Sequence, residues 1–198
     1  MTADIRELDR RAVLASAELV SGASIDDLDR ATPCVGWTLG DLLAHMTVQH
    51  YGFAAAARGH GADLEVWRVR PLGDLAGSAY AEATEHVIAA FAEDGVLERE
   101  FVLPEFRTGP VFPAASAIGF HFIDYVVHSW DVARTLGLPY TPDPDLLAAA
   151  LPLAQAVPNG PERQEPGSAF RPSLPITGRA GTLDQVLALL GRSPLWPE

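Results

Sequence analysis

The sequence predicts an all-α protein, a four-helix bundle carrying a short irregular or β-like insertion and small C-terminal helices. Two observations predict it. Apolar residues recur at intervals of three and four through four long stretches, and Pro and Gly gather between those stretches. One domain is read over residues 1–198, with the core bundle at about 1–137 and a C-terminal extension at about 138–198.

In the first helix Ile5, Leu8, Ala12, Ala15 and Leu19 form the apolar stripe, and Ser21-Gly22-Ala23-Ser24 ends it. Pro33 and Gly36 mark a fixed turn within Thr32-Pro33-Cys34-Val35-Gly36-Trp37. Thr38 is then an N-cap with Asp41 completing a capping box, and Trp37, one residue earlier, is placed to pack on Leu42 as a hydrophobic staple. The second helix spans roughly 39–58, with Leu42, Leu43, Met46, Phe53 and Ala57 inward and His45 beside them. Taken alone, His45 reads as a hydrogen-bonded core or boundary residue. A third, alanine-rich helix runs from about Asp74 to Ala92. Residues 97–112 alternate briefly and read as a short strand pair or a structured loop.

The fourth helix runs from about Pro113 to Leu136 and stops at Gly137, a C-terminal αL position before Pro139. A shorter helix, Asp143 to Val157, bends near Pro152. Residues 158–181 are rich in Pro and Gly. Thr182, boxed with Gln185, caps a last helix that ends at Gly191.

Composition removes several classes of function. The formal net charge is −12 and the pI near 4.8, which argues against nucleic acid and anionic membrane surfaces as partners. The single cysteine, Cys34, excludes an internal disulfide and a multi-thiolate metal site, and fits a reducing cytoplasm. The first residues, Met1-Thr2-Ala3-Asp4-Ile5-Arg6-Glu7, lack a signal-peptide core, and no apolar run is long enough to span a membrane. Neither a phosphate-binding Gly-rich loop nor a Gly-x-Ser-x-Gly elbow is present.

The fourth helix carries the chemistry. Ile118, Phe122, Tyr125, Ser129 and Ala133 form its core stripe, and beside it run His121, Asp124, His128 and Asp131, spaced three, four and three. Such groups are costly to bury unless paired or bound to an ion. His121 and His128 lie about 10 Å apart along the axis, too far to share one ion, whereas Asp124 and His128 are about 6 Å apart. His121 with Asp124 is the geometric rival, and a solvated polar flank needs no ion. Asp131 can pair with Arg134, a surface contact worth little.

The strings Thr32-Pro33-Cys34-Val35-Gly36-Trp37-Thr38 with Asp41-Leu42-Leu43-Ala44-His45, Asp124-Tyr125-Val126-Val127-His128-Ser129-Trp130-Asp131, and Leu187-Ala188-Leu189-Leu190-Gly191-Arg192-Ser193-Pro194-Leu195-Trp196 resemble three blocks of one family. It is the mycothiol-dependent maleylpyruvate isomerase-like family, in its short subgroup, within the DinB/YfiT-like superfamily of metal-binding four-helix bundles. The resemblance implies a metal held by His45, Asp124 and His128, with Asp124 standing where the isomerase itself is expected to use Glu. It also implies a thiol cofactor, mycothiol or a relative. The isomerase of that family is a longer chain with an added C-terminal domain.

Two histidines and a carboxylate suit Zn²⁺ with an open position, with Ni²⁺ or Fe²⁺ as alternatives. The function implied is transfer of a low-molecular-weight thiol to a small electrophile, or its isomerisation. The alternatives are metal-dependent hydrolysis, with Asp131 as proton carrier, and a non-catalytic metal- or ligand-binding protein. Cys34 lies about 17 Å before His45 along a helix axis. It is therefore read as packing the turn, with the reacting sulfur supplied by the cofactor.

Overall fold

The computed structural model describes residues 4–106, 110–165, 168–176 and 180–197. The sequence expectations that touch residues 1–3, 107–109, 166–167 and 177–179 lie outside the described residues. Four helices form the bundle: α1 (Ile5–Ser21), α2 (Leu39–Ala57), α3 (Ala76–Phe91) and α4 (Ala114–Leu136). α1 packs along α4 and α2 along α3, while contacts between α1 and α3 and between α2 and α4 close the ring. Two further helices, α5 (Pro144–Ala156) and α6 (Thr182–Leu189), pack on each other, and α5 also rests on α4. No helix among the described residues is long and apolar enough to cross a membrane.

Local chemistry sets the boundaries. Thr38 Oγ1 accepts from Asp41 N–H at 3.2 Å while Asp41 Oδ2 accepts from Thr38 N–H at 3.0 Å, so both halves of the capping box are present at the start of α2. α4 ends where Gly137 takes φ +72° and donates to the carbonyls of Ala133 and Arg134. The ambiguous segment before α4 resolves as a strand pair, β1 (Glu100–Val102) and β2 (Val111–Pro113). They are antiparallel, with Phe101 opposite Phe112. α6 corrects the sequence reading. Gly181, not Thr182, is its N-cap, no side chain caps it, and Gln185 instead donates to Ala180 O at 3.0 Å.

Within the largely apolar core, one chain of buried polar groups touches all four bundle helices. His121 Nδ1 on α4 lies 2.7 Å from Asp9 Oδ1 on α1. His121 Nε2 lies 3.2 Å from His50 Nδ1 on α2, and His50 Nε2 lies 3.5 Å from Thr84 Oγ1 on α3. With Asp9 ionised, a single pattern satisfies the chain: Thr84 donates to His50, His50 to His121, and His121 to Asp9. Burial pushes the Asp9 carboxyl up while His121 pulls it back, and burial holds His50 well below its ordinary value and so neutral. Asp9 and His50 escape the sequence reading because each sits beside an apolar stripe, with nothing local to show that the two will meet.

Two outcomes are expected. Thr38→Ala removes the cap and costs about 1 kcal/mol in denaturant unfolding. His121→Leu leaves Asp9 buried and uncompensated and costs about 3–5 kcal/mol. The double variant Asp9→Leu/His121→Leu is expected to regain part of that loss, and equal stability of single and double variants would deny the coupling.

Candidate metal centre

Three of the four polar residues on the α4 flank are buried, which removes the solvated-face reading: His121 is 1% exposed, His128 4% and Asp131 0%. The flank divides between two systems. His121 turns into the core chain described above. Asp124 and His128 turn toward α2 and meet His45, and one ligand atom from each of the three lies within 4.8 Å of the other two. The His45 and His128 rings stand edge to face with centroids 5.5 Å apart.

The orientation of His128 comes from behind. Its Nδ1 lies 2.8 Å from Asp131 Oδ2, a carboxylate one turn further along α4. A proton on Nδ1 donating to Asp131 fixes the tautomer and leaves Nε2 facing Asp124 Oδ1, 3.4 Å away. A carboxylate behind an imidazole in this way is the usual support of a metal-ligating histidine. Burial opposes the charging of Asp131, but Arg192 and His128 outweigh it and hold the carboxyl below its ordinary range. Burial likewise opposes a second proton on His128, yet Asp124 and Asp131 hold its pKa well above the ordinary histidine value. His45 differs: burial, and then the neighbouring His128, push it down to about 4, so its lone pair is free at neutral pH. The donor set of two imidazoles and one half-buried carboxylate fits a divalent ion, which would take the place of the proton on His128 Nε2.

This arrangement stands on a fold shared with known proteins. Residues 10–133 match the family model described as mycothiol maleylpyruvate isomerase N-terminal domain. The chain belongs to this family. Two uncharacterized proteins of Mycobacterium tuberculosis, from strains CDC 1551 / Oshkosh and H37Rv, are each 33% identical over 184 residues, spanning 93% of this chain and 95% of theirs. Among solved structures, the mycothiol-dependent maleylpyruvate isomerase superposes with a TM-score of 0.55 at 13% identity. A histidine-to-alanine mutant of it superposes with a TM-score of 0.57 at 14% identity. In both cases 73% of this chain is covered and 65% of the isomerase chain, so the chain spans about two thirds of those proteins. The likeness carries the DinB-like bundle fold.

Beyond the three candidate ligands, the structure assembles residues that local spacing did not connect. Arg192, which follows α6, is 6% exposed and donates from Nη2 to Asp131 Oδ2 at 3.3 Å. Gly191 makes this approach possible: it takes φ +77°, and a Cβ there would come within 2.5 Å of Arg171 O. Asp131 does not pair with Arg134 as the spacing allowed. Arg134 donates to the carbonyl of Trp196, and so holds a second point of the C-terminal segment to α4. Asp131 lies behind His128, against its Nδ1, rather than beside Asp124 and His45.

Cys34 is also nearer the site than its distance along the chain implied. The turn folds back over α4, so Cys34 Sγ donates to Asp131 Oδ2 at 3.2 Å and lies 4.0 Å from His128 Nδ1. The half-buried thiol packs against the core, as its turn position indicated. Cys34, His128 and Asp131 also offer three donor atoms within 4.8 Å of one another. Arg192 Nη2, 3.5 Å from Cys34 Sγ, places a fixed positive charge there and disfavours a cation. Trp37 also meets the site. Its indole lies against His45 with ring centroids 4.9 Å apart, so this turn walls the site in addition to starting α2.

For the ligand assignment, His128→Ala is expected to abolish stoichiometric metal binding by elemental analysis, while the Asp9→Leu/His121→Leu double variant keeps it. Asp131→Asn leaves all three candidate ligands in place, and its metal affinity is expected to fall by about 10- to 100-fold in chelator competition.

Proposed function

We propose that the protein is a metal-dependent enzyme that uses a low-molecular-weight thiol, mycothiol or a relative, on a small electrophilic substrate. The observation that carries this reading is the convergence of His45, Asp124 and His128 on one point, with Asp131 locking His128 from behind. Membership of a family described by mycothiol and maleylpyruvate isomerase supports the choice of thiol. A thiol cofactor and a single unpaired cysteine both suit a reducing cytoplasm.

A divalent ion in this site, Zn²⁺ before Ni²⁺ or Fe²⁺, supplies Lewis acidity that favours the thiolate form of the cofactor near neutral pH. The protein's own groups do the rest. His45 and Asp124 complete the donor set, and Trp37 screens one side of His45 with an apolar wall. Asp131, charged and held by Arg192, keeps His128 in a single orientation. Addition of the thiolate sulfur to an activated carbon–carbon double bond leaves a single bond free to rotate. Expulsion of the same thiolate then restores the double bond in the other geometry and returns the thiol. If the adduct instead picks up a proton on carbon, the product is a conjugate and the reaction is a transfer.

Metal analysis followed by turnover assays with maleylpyruvate and other electrophiles, with and without mycothiol, tests the reading. Turnover is expected only with thiol and metal together. Turnover without thiol identifies a hydrolase, and none across the panel identifies a binding protein. Cys34→Ser is expected to keep both metal and thiol-dependent turnover. A folded, metallated, inactive Cys34→Ser would place the reacting sulfur on the chain.

A further inference from the structure

The segment joining α2 to α3 is pinned to the bundle at two points. Trp67 fills a notch that only a glycine leaves open: a Cβ on Gly52 would come within 2.3 Å of its ring. The same indole donates from Nε1 to Gly61 O at 2.8 Å. Gly61 is itself pressed against the hairpin, where a Cβ would meet Val102 O at 2.2 Å. Held in this way, the segment walls a cavity of about 920 Å³ lined by α2 and by His86 of α3. His45, Asp124 and His128 do not line it.

Two kinds of surface meet in that cavity. α2 contributes small apolar side chains, Ala44, Val48 and Ala55. It also contributes Tyr51, whose ring stands against His86 with centroids 5.3 Å apart, a flat aromatic face. The rim carries three guanidiniums, Arg58, Arg68 and Arg70, beside two lining carboxylates, Asp63 and Glu65. Arg68 and Arg70 share one oxygen, Glu65 Oε2, at 3.4 and 3.5 Å. Two guanidiniums on one carboxylate oxygen keep most of their donors available. Arg58 engages Glu93 through Nε alone, at 2.7 Å.

We propose that this cavity binds a small organic anion, a carboxylate or phosphate monoester on a flat apolar body, independently of the metal centre. A guanidinium fork matches either head group in bidentate fashion. The volume lies within the range of small-molecule sites, most of whose lining is apolar with a few placed polar groups. A flat body would lie on Tyr51 and the small α2 side chains while its head group bridges Arg68 and Arg70.

The test is an NMR titration of the full-length, metal-loaded chain with benzoate, phenyl phosphate and benzyl alcohol. At least one anion is expected to give saturable shifts confined to Val48, Tyr51, Ala55 and the segment 58–70, with benzyl alcohol binding at least ten-fold more weakly. Which anion binds identifies the head group. The double variant Arg68→Gln/Arg70→Gln, at exposed positions, is expected to lower the anion's affinity at least ten-fold. Ala55→Phe, which fills the cavity, is expected to abolish binding, and removing the metal with a chelator is expected to leave it unchanged. Failure of both anions to saturate, equal binding of benzyl alcohol, an unaffected arginine variant, or loss of binding with the metal would each overturn the proposal.

Discussion

Asp131 is the acceptor on which three separate parts of the chain meet. His128 reaches it from the same helix, Cys34 from the turn before α2, and Arg192 from beyond α6, all at Oδ2. Its other oxygen, Oδ1, has no partner among the described residues. Taking a carboxylate and a guanidinium out of water costs several kcal/mol per ion. Each hydrogen bond to a charged group returns about 1.5–3 kcal/mol. The sum is close to neutral for stability, so the benefit lies in position. One fully buried carboxylate sets the tautomer and tilt of His128, and through it where the candidate metal site opens.

The same reasoning explains why the polar flank of α4 splits. A helix packed by α1, α2 and α5 has little solvent to offer four titratable groups. His121, His128 and Asp131 are buried and have found partners there, while Asp124 keeps part of its surface in water. His121 passes its hydrogen bonds across the bundle to Asp9 and His50. Thr84 completes a line that touches every bundle helix. Such a line adds little net stability and strongly disfavours any packing in which the helices slide, because sliding would strand a buried carboxylate.

The features legible in the sequence are those whose partners lie close along the chain. The cap at Thr38, the stop at Gly137 and the apolar stripes depend on residues within one or two turns of each other. Local pattern therefore carries them. The separation of His121 from His128 was legible too, because both lie on one helix. Arg192, Asp9 and His50 were not legible, since their partners lie many tens of residues away in sequence. The nearness of Cys34 to Asp131 was not legible for a related reason. Distance along α2 says nothing about a turn that folds back across α4. The cap of α6 failed on a competing contact: Gln185 bonds the carbonyl of Ala180 instead of closing a box with Thr182.

The acidic position of the site shows what this support from behind achieves. The family resemblance associates a glutamate with the place of Asp124, and an aspartate is one methylene shorter. A shorter acid would be expected to fall away from the other ligands if the histidines were placed independently of it. Here His128 is fixed from the opposite side by Asp131, and Asp124 Oδ1 still comes to 3.4 Å from Nε2. A spacing of four on a helix brings the two side chains onto one flank, so the missing methylene can be absorbed by side-chain torsions. The acid is then the adjustable member of the set and His128 the fixed one. That order follows from burial: Asp124 is half-exposed, whereas His128 and Asp131 are enclosed by the turn, the helix and the C-terminal segment together.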